Sequence, residues 1–144
     1  MKKLLLAFLL CPIISFAQNY SFKQLTAEKS TSMRGLSVLD DSVAWASGSN
    51  GYVGKTIDGG KNWQWTQPKG YEKLDFRDIQ AFDALKAIIV NAGSPAYILS
   101  TIDGGKTWRE VYKNTDSLIF LDGMDFWDHQ QGIGFGDPIK DKMQ

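Results

Sequence analysis

Cysteine, histidine and arginine are scarce in this 144-residue chain: there is one Cys, one His and only Arg34, Arg77 and Arg109. Each shortage removes a class of chemistry. Cys11 lies inside an N-terminal stretch that reads as removable, so residues 18–144 hold no thiol. Disulfides, thiolate catalysis and cysteine-ligated metals are excluded there. His129 stands in a turn-like stretch, where a histidine is ordinarily just solvated, and no HExxH or comparable metal spacing occurs. No metal and no cofactor is expected. Net charge is also lacking, with 16 basic and 16 acidic side chains. A chain so balanced has no electrostatic footprint for nucleic acid or an anionic membrane surface.

Long apolar runs are confined to the start. Leu4 to Leu10 is apolar and too short to cross a bilayer; Lys2 and Lys3 precede it, and Ser15-Phe16-Ala17 follows. This order predicts a signal peptide, residues 1–17, cut after Ala17, and hence a secreted or periplasmic protein without a transmembrane segment. Lipid attachment at Cys11 is disfavoured by Leu10, because a small residue belongs before a lipidated cysteine. Cleavage leaves 14 basic and 16 acidic side chains, a formal charge of −2.

What the chain does have is a repeat. Thr56-Ile57-Asp58-Gly59-Gly60-Lys61-Asn62-Trp63 returns as Thr101-Ile102-Asp103-Gly104-Gly105-Lys106-Thr107-Trp108, 45 residues later. Gly48-Ser49 and Gly93-Ser94 lie ten residues before the two aspartates, and the segments around Leu36 and Ile79 match in pattern. A third copy starts with Gly123-Met124-Asp125-Phe126-Trp127 and continues to Gly136-Asp137. Short β-prone runs separated by turn residues predict four strands per copy. They fall at about 35–39, 43–48, 51–56 and 62–66, then 77–82, 87–92, 97–101 and 108–112. The third copy offers 123–126, 132–136 and a start near 139. No helix is favoured after residue 17. Four strands every 45 residues is the β-propeller pattern, in which each small sheet buries its face against the next.

The repeated octad has a mechanical purpose. An aspartate in a tight turn accepts backbone N–H groups one to three residues on, and Gly-Gly supplies positive φ without a Cβ clash. Thr56 and Thr101 offer hydroxyl partners, and Trp63 and Trp108 fill space between sheets from the fourth strands. A lone carboxylate is a poor calcium cage, and a phosphate loop wants a helix where a tryptophan strand follows.

This octad resembles the Asp-box, or BNR, repeat of β-propellers. Sialidases, xyloglucan-degrading glucanases, sortilin-type receptors and photosystem II stability/assembly-factor-like proteins carry it. The DGGK form and the stretch at 132–138 are most similar to the last group and its secreted bacterial relatives. The resemblance spans about residues 33–144 and implies an all-β propeller of four-stranded antiparallel blades, about seven in a parent chain. The blades expected here are 33–66, 67–112 and the start of a third at 113–144. Residues 18–32, with Phe22 near the tryptophan position, are expected to form the strand that closes the last blade.

For function the resemblance implies an exported scaffold that binds a protein or peptide, without implying a photosystem, or alternatively a glycoside hydrolase. Arg34 and Arg77 occupy one phase of the repeat, at the start of the innermost strand, and are the candidate ligand-binding pair for an anionic group; pairing with local acids such as Asp75 or Asp78 is the plainer alternative. Catalytic residues are not assigned: Asp125, Asp128 and Asp137 read as strand or turn positions rather than a glycosidase pair. Gly132, Gly134 and Gly136 give a dinucleotide-like spacing, but Asp137-Pro138 blocks the helix it needs. Tyr52, Trp65, Tyr71 and Trp127 are candidates for a protein or sugar surface, with core packing as the plainer fate.

Overall fold

The computed structural model describes residues 21–24 and 29–139. Among these there is no helix and there are ten strands, grouped in three antiparallel sheets. The first sheet holds β1 (Met33–Val38), β2 (Ala44–Gly48), β3 (Val53–Thr56) and β4 (Gln64–Thr66) in that order. The second holds β5 (Phe76–Ala81), β6 (Ala87–Asn91), β7 (Ala96–Thr101) and β8 (Arg109–Asn114). The third pairs β9 (Leu121–Phe126) with β10 (Gly132–Gly136). These are consecutive blades of a propeller.

Alternation along each strand sends successive side chains to opposite faces of the sheet. Gly35 and Ser37 of β1 turn toward the second sheet, while Leu36 and Val38 turn away from it. The approach is close: a Cβ on Gly35 would lie 2.8 Å from Asp78 Cα and from Ile79 N. Ser37 Oγ accepts the Ala81 N–H at 3.1 Å, so the first two sheets are hydrogen-bonded as well as packed. Asp78 repeats the device one sheet on, where its Oδ2 accepts Met124 N–H at 2.8 Å. Two cores result. Trp45, Val53, Phe76, Ile79, Ile89 and Leu99 fill the first interface. Val90, Ala96, Ile119, Leu121 and Met124 fill the second.

The repeat is exact in kind but not in length. Strand register equates Gly48 with Asn91 and with Gly136, each paired to the first residue of its inner strand. The sequence match of Gly48-Ser49 to Gly93-Ser94 is therefore displaced by two residues. The turns at 49–52 and 92–95 are equally long, and the two extra residues lengthen β7, six residues where β3 has four; the Asn91 amide holds the turn at 92–95 by donating to Ala92 O (2.9 Å) and Pro95 O (3.1 Å). Trp63 and Trp108 each precede, rather than begin, the fourth strand. Ser21–Gln24 carry no strand, and Phe22 is 97% exposed. The rest of the expected closing strand at 18–20 and 25–28, like the signal peptide and Cys11, lies outside the described residues.

Candidate functional site

The two ends of the sheets carry different chemistry. At one end, the octads build matching corners. Thr56 Oγ1 donates to Asp58 Oδ1 (2.9 Å) and accepts Gly60 N–H (3.0 Å). Thr101 does the same toward Asp103 (2.9 Å) and Gly105 (3.0 Å). The aspartates reach further than a simple turn would require. Asp58 Oδ1 accepts Asn62 N–H at 2.9 Å, four residues on, and Asp103 Oδ1 accepts Thr107 N–H at 3.0 Å. The variable residue of the octad completes the set: Asn62 Nδ2 donates to Asp58 Oδ2 (2.7 Å), and Thr107 Oγ1 donates to Asp103 Oδ2. Sequence reasoning passed over that position; its polar character in both copies was the signal. Gly59, Gly60, Gly104 and Gly105 have φ of 70°, 80°, 77° and 84°, the left-handed region that glycine enters freely.

These hydrogen bonds leave the carboxylates well satisfied as anions. The Asn62 backbone N–H and side-chain amide, with Thr56, draw Asp58 down to about 2. The Thr107 hydroxyl and N–H, with Thr101, draw Asp103 down to about 2. Gly59 N–H and Gly104 N–H then tie each corner to the first hairpin turn of the same sheet, through Ser42 O and Leu85 O at 2.9 Å each. Those first turns are themselves alike. Asp40, Asp83 and Asp128 each accept two N–H groups two and three residues on. Asp128 is thus a turn residue. Asp125 accepts the N–H of its neighbour Phe126, and Asp137 is exposed beyond β10.

At the opposite end lie the arginines. Each innermost strand carries a β-bulge at the same place, between Met33 and Gly35, between Phe76 and Asp78, and between Leu121 and Gly123. The bulged residues are Arg34, Arg77 and Asp122. A bulge leaves its residue out of the ladder and re-aims its side chain. Arg34 Nη2 lies 3.3 Å from Asp75 Oδ2, and Arg77 Nη2 lies 2.9 Å from Asp122 Oδ1. Each arginine therefore reaches an acid of the following blade. Of the two acids suggested by sequence, Asp75 is a partner, while Asp78 instead holds the Met124 and Ile79 N–H groups. The side chains of Arg34 and Arg77 stay partly exposed, at 41% and 35%. Asp75 Oδ1 is buried without a hydrogen-bond partner.

The aromatic candidates divide. Tyr52, Trp65 and Tyr71 are half-buried; Tyr52 meets Trp65 edge-on, and Tyr71 meets Tyr97 edge-on while donating to Glu110 Oε2 at 2.9 Å. Trp127 is 73% exposed. His129 lies against Phe82, with ring centroids 5.2 Å apart. Among the described residues no three His, Cys, Asp or Glu side chains gather as a metal site, and no helix is long and apolar enough to cross a membrane.

Four-stranded sheets in series, each riveted by a Thr-x-Asp-Gly-Gly corner, define an Asp-box β-propeller of the BNR-repeat class. More narrowly, the chain belongs to the photosynthesis system II assembly factor YCF48 family, whose model matches residues 14–117. Among solved structures it is similar to one described as YCF48 bound to D1 peptide, at 20% identity and a TM-score of 0.64. That match covers 82% of this chain and 39% of the other. It is also similar to YCF48 from Cyanidioschyzon merolae, at 22% identity and a TM-score of 0.51, covering 62% of this chain and 29% of that one. The chain thus spans well under half the length of both. No curated protein sequence matches it significantly.

Proposed function

We propose that this chain is part of an exported, non-enzymatic propeller that holds a peptide segment of a partner protein during assembly, engaging it at the bulged ends of its inner strands. The observation that carries the reading is the shared bulge, which puts Arg34 and Arg77 out of their ladders at equal positions on adjacent blades. Their aspartate partners steady the guanidiniums while the arginine side chains remain partly exposed. A peptide carboxylate is a fitting acceptor for such forks. A related structure described as bound to D1 peptide supports a peptide partner. The family match supports an assembly role rather than turnover.

The test is fluorescence-anisotropy titration of the chain with the D1 peptide and with a panel of unrelated carboxylate-terminated peptides. Arg34→Gln with Arg77→Gln weakens the binding at least about tenfold, since each lost hydrogen bond to a charged group is worth about 1.5–3 kcal/mol. Absence of saturable binding by every peptide, or equal binding by the double variant, defeats the reading. The glycosidase alternative rests on the resemblance alone; turnover of a sialoside or xyloglucan would bring it forward. Export is tested by the mass of protein recovered outside the cytoplasm, which should begin at Gln18.

A further inference from the structure

Arg34 and Arg77 occupy equal places on adjacent blades, yet the following blade holds them differently. The residue just before each inner strand is fixed in the same way in all three sheets. Ser32 O, Asp75 O and Phe120 O accept the N–H groups of Ser49 (3.0 Å), Ala92 (2.9 Å) and Asp137 (3.0 Å). Their side chains therefore start from equivalent points. Asp75 gives Arg34 its charged partner, at 3.3 Å. At the same place Arg77 meets a ring instead of an acid: its Cζ lies over Phe120, 5.3 Å from the ring centroid. The acid for Arg77 comes from two residues further on, the bulged Asp122, at 2.9 Å. Arg77 is thus held both by a ring against its guanidinium and by a carboxylate at Nη2. Among the described residues no aromatic ring lies within cation–π reach of Arg34.

We propose that Phe120 is a positioning residue that orders Arg77 before any ligand arrives, so that Arg77 is the principal anchor for an anionic group and Arg34 the weaker, adjustable one. This rests on the reading of the two arginines as the peptide site. A guanidinium is attracted to a ring face within about 6 Å of the centroid, and it can stack there while its edges stay free to donate. The ring constrains the guanidinium from one side, and Asp122 fixes its direction through Nη2. Ordering a free, rotamer-rich side chain on binding weakens an affinity about two- to tenfold. Arg77 avoids that cost, because its order is built into the empty site. Arg34 bears it, with a longer ionic contact, a more exposed side chain and no ring. The difference comes from one position of the repeat, which reads Asp75 in the second blade and Phe120 in the third.

The test begins without ligand. The three arginines of the chain are assigned in a proton–nitrogen correlation spectrum from the Arg34→Gln and Arg77→Gln variants. The expected result is a heteronuclear NOE at Arg77 Nε above that at Arg34. It should fall to the Arg34 level in Phe120→Leu and return in Phe120→Tyr, since this observable reports fast side-chain motion. The tightest carboxylate-terminated peptide of the anisotropy panel is then titrated into each variant. Arg77→Gln should weaken binding more than Arg34→Gln. Phe120→Leu should weaken it about two- to tenfold, and Phe120→Tyr should leave it unchanged. The effect of Phe120→Leu should vanish in the Arg77→Gln background and persist beside Arg34→Gln. A purely structural role for Phe120 would carry its loss into both backgrounds. An Arg77 NOE indifferent to Phe120→Leu, a larger binding loss for Arg34→Gln, or a Phe120→Leu loss undiminished by Arg77→Gln overturns the proposal. No binding by any peptide, with the NOE pattern as expected, defeats the peptide reading and upholds the ordering of Arg77 by Phe120.

Discussion

The same apolar position occurs twice in this chain in opposite circumstances, and that makes a quantitative test. Ile79 and Leu36 each sit fourth in the inner strand of a blade, Ile79 at 2% exposure against the first blade and Leu36 at 65% on the uncovered face. Ile79→Ala removes buried methyl groups from a filled interface, beside Trp45, Ile89 and Leu99. Such truncations cost about 2–5 kcal/mol, because the transfer loss is joined by a cavity term. Leu36→Ala loses only the third of its surface that is covered. Complete burial of such a side chain is worth about 1.5–3 kcal/mol, so the expected cost is about 0.5–1 kcal/mol. Urea unfolding followed by tryptophan emission measures both. With a slope of about 2 kcal/mol per molar, Ile79→Ala lowers the midpoint by about 1–2.5 M and Leu36→Ala by about 0.25–0.5 M. The comparison is run at two protein concentrations to keep association out of the difference. Equal losses, or a larger loss at Leu36, would refute the account of one filled and one open blade face.

Two more predictions concern the corners. Thr101→Val leaves the buried Gly105 N–H without its acceptor, which costs about 1–3 kcal/mol, whereas Thr101→Ser keeps the hydroxyl and most of the stability; thermal unfolding of the two variants side by side checks this. Stability also falls with acid. The folded values of Asp58 and Asp103 lie near 2, below the ordinary 3.8, so their contribution is full above about pH 4 and is lost as the pH falls toward 2. Melting temperature measured from pH 5 to 2 should decline through that window. Asp103→Asn should flatten the decline without removing it, because Asp40, Asp83 and Glu72 are also held below their usual values by N–H donors.

The corners were legible because they are local. A hydroxyl, a carboxylate and two glycines within five residues can satisfy one another wherever the chain folds, so an identical octad announces an identical turn. Strand number and order were legible for a related reason: short alternating runs between turn residues leave few options besides consecutive hairpins. The bulges at Arg34, Arg77 and Asp122 were not legible, because a bulge is a relation between two strands, and nothing in one strand's composition marks it. Lys55 was equally silent. As a lysine in a strand it reads as solvated, and only the neighbouring blade's carbonyls give it a partner.

Sequence by itself therefore determined the unit: four strands, one riveted corner, and an apolar face that a single unit cannot cover. Tertiary structure decided how units meet. It chose which arginine finds which aspartate, which indole fills which interface, and which of two equivalent faces stays open. The physical reason is range. Turn chemistry acts over a few bonds and is written residue by residue, whereas packing and ion pairing depend on atoms brought together from blades about a full repeat apart in the chain.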